Sequence, residues 1–150
     1  IRPRPVDARP PADFRHQVVR DNAAFPAVGA HKVFHYELLT NGQRCYDLYA
    51  AAELLPEAVL ALRQYREVLA GQQAKTLALA PPGTLPACDM ANNIFLPGRH
   101  LEHGFPVRLT DMTGKTVELV DYDAEFRATA AMLRLPADYK RLTIEELRMK

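Results

Sequence analysis

A chain of 150 residues with 48% apolar and 25% charged residues has the composition of a folded globular domain, which excludes wholesale disorder. Nineteen basic residues against eighteen acidic ones leave a net charge of +1, so no whole surface is given over to nucleic acid or an anionic membrane. The absence of serine excludes every serine-nucleophile mechanism. Two cysteines, Cys45 and Cys88, are too few for a disulfide framework or a four-cysteine zinc site. No apolar run approaches the ~18 residues that a membrane span needs.

The first twelve residues read as an extended arm, because Pro3, Pro5, Pro10 and Pro11 fix φ and hold their predecessors extended. Such an arm would reach about 37 Å at ~3.1 Å per residue. Its arginines, Arg2, Arg4 and Arg9, offer forked donors to carboxylates or phosphates of a partner. Arg-rich and acid-poor residues behind Ile1 fit the sequence left after removal of an organellar presequence. From Ala12 to Ala24 the spacing of Phe14, Val18 and Val19 predicts a short helix ended by Pro26 and Gly29.

Val33–Thr40 and Gln43–Tyr49 flank Asn41-Gly42, the strongest short-range signal for a two-residue hairpin turn. Pairing Thr40 with Gln43 puts Leu38 opposite Cys45 and Phe34 opposite Tyr49. His35, Glu37, Arg44 and Tyr46 then share the other face. A helix is expected from Pro56 to about Gln72, stopped by Gly71. Leu55, Val59, Leu62 and Leu69 form its buried stripe, widened by Leu60, Tyr65 and Val68, with Glu57, Arg63, Gln64, Arg66 and Glu67 toward solvent. Lys75–Ala80 reads as a short strand. Thr84–Gly104, rich in proline, glycine and asparagine, reads as a long irregular loop of the kind that is often functional.

In the second hairpin Leu109 must oppose Val117 and Val107 must oppose Leu119 if the four are to share a face. That register closes on Asp111 and Lys115 around Met112-Thr113-Gly114, with Gly114 left-handed, and sets Arg108 across from Glu118. Asp121 or Asp123 should cap a helix running to Leu135, with Phe126, Ala130 and Leu133 inward and Pro136 as its stop. Thr143-Ile144-Glu145-Glu146 is a capping box, stapled by Leu142 and Leu147. The expected fold is a single α+β domain over residues 13–150, with two β-hairpins, three to four helices and the N-terminal arm.

The reactive side chains cluster in the long loop. Cys88, His100 and His103 could ligate a metal, with His35 or Cys45 as a further ligand, but no CxxC or secure helical HxxxH spacing supports this. Alternatively Cys88 could act as a nucleophile with His100 or His103 as base and Asp89 or Asn92 as orienter, in a small hydrolase. A buried structural cysteine and loop histidines that satisfy backbone groups explain the same residues more simply. No catalytic residue, metal or cofactor is therefore assigned, and Arg63 and Arg66 beside Tyr65 are read as an ordinary amphipathic helix rather than a nucleic-acid site. The arm, the long loop and the lack of a catalytic signature together predict an accessory subunit of a larger protein assembly. Its expected partners are other protein subunits and its expected setting a mitochondrial complex, or otherwise the cytoplasm.

Overall fold

The computed structural model describes residues 9–77, 81, 83–140, 142–143 and 146–147. Its frame is one antiparallel sheet in which each strand pairs with its neighbour in sequence. The strands are β1 (His16–Asp21), β2 (Val33–Thr40), β3 (Gln43–Ala51), β4 (Phe105–Asp111) and β5 (Thr116–Glu118). Between β3 and β4 the chain forms a long helix, α1 (Pro56–Leu77), and a short one, α2 (Ala87–Met90). The helix α2 runs into a π-helical turn at Ala91–Phe95 and is followed by a 3₁₀ turn at Arg99–Leu101.

Among the described residues, two α-helices and five strands correct the expectation of three to four helices beside two hairpins. The segment 16–21, read as part of a helix, is strand β1, laid along β2 with His16 opposite Thr40 and Asp21 opposite His35. Val18 and Val19 are β-branched, and the open edge of β2 offers backbone partners that an isolated helix lacks. Arg15 and Asn41 close the corner, each backbone amide donating to the other residue (2.8 Å in both cases). The helix expected from Asp121 to Leu135 is replaced by successive turns. Its cap forms without it: Asp123 Oδ1 accepts from the Glu125 amide at 2.8 Å. A helix of this length depends on packing for its stability, and Phe126, Met132, Leu133 and Leu135 are mostly exposed here. Lys75–Leu77, read as a strand, continue α1 past Gly71, and residues 78–80 lie outside the described ones.

Both hairpins stand. Asn41 and Gly42 both carry positive φ, as their turn requires, and Arg108 faces Glu118 while Leu109 faces Val117. Gly114 is left-handed at φ +84°. The first hairpin departs from simple pairing at a β-bulge: Leu39 pairs with Arg44, but Leu38 pairs with Tyr46. Cys45 is the extra residue, so Tyr46, not Cys45, faces Leu38, and Phe34 faces Ala50 rather than Tyr49. Re-aiming one side chain is what a bulge does.

The bulge sorts the sheet into two faces. Leu38, Tyr46, Leu48 and Ala50 bury one face with help from Tyr36 and Leu109. The other carries His35, Asp47 and Tyr49, and its end is closed by Val33, Ala51, Leu54 and Val107, against which Phe25, Val28, Leu119 and Tyr122 pack. At the entry to β4, Gly104 has φ +116°, and a Cβ there would collide with Ala51 O and come within 2.9 Å of Ala52 Cα. Only glycine allows that crossing.

Candidate functional site

The region 84–104 is no loose loop. Cys88, Ala91, Asn92, Ile94, Arg99, His100 and Leu101 are all buried. Cys88 of α2 is joined to Cys45 of the bulge in a disulfide, and both residues are wholly buried. Cys88 is thus buried and structural, as the simpler reading had it, but as half of a disulfide rather than as a free thiol. In this oxidised form Cys88 holds no thiolate, so it can neither attack a carbonyl nor ligate a metal.

Around the disulfide lies a polar centre built from four elements. The π-helical turn presents the backbone oxygen and the side chain of Asn92 together. Arg99, 5% exposed, donates to Asn92 Oδ1 through Nε (3.0 Å) and Nη2 (2.6 Å), and through Nη1 to Thr40 Oγ1 (2.9 Å) and Leu39 O (3.2 Å). From α1, Arg66 donates to Asn92 O (2.8 Å), Pro97 O (3.1 Å) and Asn93 Oδ1 (3.3 Å). All these acceptors are neutral. Burial pulls the Arg99 guanidinium below its usual range and holds the Tyr46 phenol above its own.

His100 sits in this centre, its ring 5.3 Å from that of Tyr46. Burial, with Arg66 and Arg99 nearby, lowers it to about 4, so it is neutral at pH 7, and its Nδ1 has no partner. His103 instead stacks on Tyr36 at 4.3 Å, and burial lowers it as well. Thus Cys88, His100 and His103 pack against different partners, and among the described residues no three His, Cys, Asp or Glu side chains converge as metal ligands. The arrangement is a clamp. Two guanidiniums staple α1 and the 84–104 segment to the hairpin, and their donors are taken up by the chain itself.

A second polar array crosses the opposite face. His35, buried, meets Tyr49 at a tilt (4.6 Å), and Tyr49 in turn meets Phe25 (4.6 Å). Its Nδ1 lies 2.8 Å from Asp21 Oδ2, out of line for a hydrogen bond, and its Nε2 bonds Asp47 Oδ1 at 3.3 Å. Arg44 joins Glu37 (2.8 Å) to Asp47 (3.5 Å). The Ala23 amide, ahead of the His35 ring, holds the Asp21 carboxyl below its usual range. Beside the array is an open cleft of about 370 Å³ lined by Arg44, Asp47, Tyr49, Arg108, Thr110 and Asp111. Within it Arg44 pairs with Asp47, and Asp111 accepts from Thr113 and the Lys115 amide, whereas Arg108 has no ion pair among the described residues.

The surface is unusual past the last strand. From Val120 to Tyr139 the chain leaves Val120 (95% exposed), Phe126, Met132, Leu133 (79% exposed), Leu135 and Tyr139 in solvent. Arg9 is exposed at the other end, and Arg2 and Arg4 lie outside the described residues. The missed features, the disulfide and the Arg99 clamp, had one legible signal: one buried-type cysteine in the first hairpin and one inside a loop rich in residues that bond backbone. Comparison with protein-family models, curated proteins and solved structures finds no match to this chain. No helix among the described residues is long and apolar enough to cross a membrane.

Proposed function

We propose that this protein is a non-catalytic interaction subunit, held against a partner protein through residues 120–139. One observation carries the reading: six large apolar side chains lie exposed along that segment, while Arg66 and Arg99 of the clamp and Arg44 of the charged array spend their hydrogen bonds on the chain itself. An exposed apolar stretch of this extent marks a docking surface in a folded protein. The segment also carries helical spacing at Phe126, Ala130 and Leu133 and a preformed cap at Asp123. Docking into an apolar groove of the partner would supply the packing that the helix lacks, the helix-in-groove mode. Arg2, Arg4 and Arg9 would add charge-assisted contacts at the rim. The buried Cys45–Cys88 disulfide favours an oxidising compartment, organellar or extracytoplasmic, over the reducing cytosol.

The test is reconstitution. A protein retained by the full chain is purified and mixed with wild type and with Leu133→Asp and Met132→Asp. Binding in defined stoichiometry that both variants weaken by about tenfold or more, with the melting temperature unchanged within about 2 °C, is the expected result. Variants that unfold the chain, or that bind as wild type does, would show that the segment belongs to the protein's own core or plays no part in docking.

A further inference from the structure

The amphipathicity of α1 is rotated from its expected sense. Arg63 and Arg66, expected in solvent, turn toward the protein: Arg66 bonds the π-helical turn, and Arg63 lies along Gly98 and reaches Glu102 at 4.0 Å. Leu62 (41% exposed) and Tyr65 (58% exposed), expected in the core, face solvent. With Ala58 and Leu69, both half-buried, they fall at intervals of four, three and four residues. That spacing is the apolar seam of a two-helix coiled coil.

We propose that α1 is a self-association surface, on which a second copy of this chain packs its own α1 antiparallel along Ala58, Leu62, Tyr65 and Leu69. The charges at the helix ends select this occupant and this direction. Glu57 is the acidic residue of the first turn and Lys75 the basic residue of the last. They are eighteen residues apart, five turns at 3.6 residues per turn, so they lie on one flank of the seam. An antiparallel pair sets Glu57 of each copy beside Lys75 of the other, at both ends. A parallel pair would set Glu57 against Glu57 and Lys75 against Lys75. In the antiparallel register Leu62 meets Leu69 of the second copy, the two Tyr65 rings flank the twofold axis between residues 65 and 66, and the helix dipoles oppose. The seam is self-complementary, as an isologous contact must be. It shares no residue with the 120–139 segment, so it stands or falls separately from the docking of a partner.

The experiment is sedimentation of the full chain from about 1 to about 200 μM, a range that brackets a dissociation constant in the micromolar region. Wild type should pass from monomer to dimer, and Leu62→Glu and Tyr65→Glu should each weaken the dimer by about tenfold or more. Glu57→Lys and Lys75→Glu should each weaken it several-fold, and the two together should restore it, since an exposed pair is worth up to ~1 kcal/mol. Circular dichroism and melting at the lowest concentration check that each variant folds. A chain that stays monomeric throughout, or a dimer indifferent to Leu62→Glu and Tyr65→Glu, overturns the proposal. So does a charge swap whose double variant fails to recover. A monomer whose melting temperature drops on Leu62→Glu would overturn it too, by showing that the chain's own 121–135 segment covers the seam.

Discussion

At the scale of single residues the fold turns on groups that are buried and polar. Arg99 has its guanidinium engaged by Asn92, Thr40 and Leu39, and removing it would strand those acceptors out of reach of water, a loss of about 1–3 kcal/mol each for groups that find no other donor. His100 makes this environment measurable. Above pH 6.5 its ring is neutral both folded and unfolded, and it adds no pH dependence. Between pH 6.5 and about 4 the unfolded chain takes up a proton that the folded site refuses. Unfolding is then favoured by up to ~1.4 kcal/mol per pH unit, and the penalty levels off below the folded value. Denaturant titrations of wild type and His100→Gln across that window should diverge as pH falls, with the variant losing this part of the slope. Parallel curves would mean that the ring is free to charge in place.

At the scale of elements, turn chemistry was legible and tertiary context was not. Asn41-Gly42 and Met112-Thr113-Gly114 announce their hairpins because positive φ is open to few residues, and both form where expected. In the second turn a Cβ added to Gly114 would have nothing within 4 Å, so a substitution meets strain alone. Gly114→Val is therefore expected to destabilise by roughly 1–2 kcal/mol, and Thr113→Ala, which loses one exposed hydrogen bond to Asp111, by less than about 0.5 kcal/mol. Equal effects in urea unfolding would contradict the register. The capping box likewise forms, Thr143 N to Glu146 Oε2 at 2.6 Å and Glu146 N to Thr143 Oγ1 at 3.2 Å. What escaped the sequence were outcomes decided by distant partners. β1 is a strand because β2 had an edge to fill, and the 121–135 stretch is not a helix because its apolar side chains find too little to pack on. Arg66 turns inward because Asn92 and Pro97 offer carbonyls, and Arg63 because Gly98 leaves room and Glu102 offers a charge, which no helical wheel displays. For the same reason the polar centre was half visible: His100 stands out in the sequence as a reactive side chain, whereas the pairing of Cys88 with Cys45 depends on a bulge that alternation cannot foretell.

At the scale of the whole molecule, the Cys45–Cys88 disulfide ties the second half of the core to the first across a sequence separation of 43 residues. Closing a loop of that length is worth about 4 kcal/mol through the entropy of the unfolded chain. Reduction, or Cys45→Ala with Cys88→Ala, should lower the melting temperature by roughly 10 °C, at about 2–4 °C per kcal/mol for a chain of this size. A reduced protein that melts with the oxidised one would leave the Arg99 clamp as the sufficient tie. The strand order has a consequence in time. β1, β2 and β3 are consecutive in the chain and can pair as soon as they leave the ribosome, but β4, which covers the far edge of β3, begins only at Phe105. At about 5–20 residues per second, translation of the intervening stretch takes several seconds. Throughout that interval the free edge of β3, with Leu48 and Ala50 on its apolar face, can template another nascent strand. Slower translation through Ala52–Gly104 should therefore raise the insoluble fraction of newly made protein, and a chaperone that shields bare strand edges should lower it.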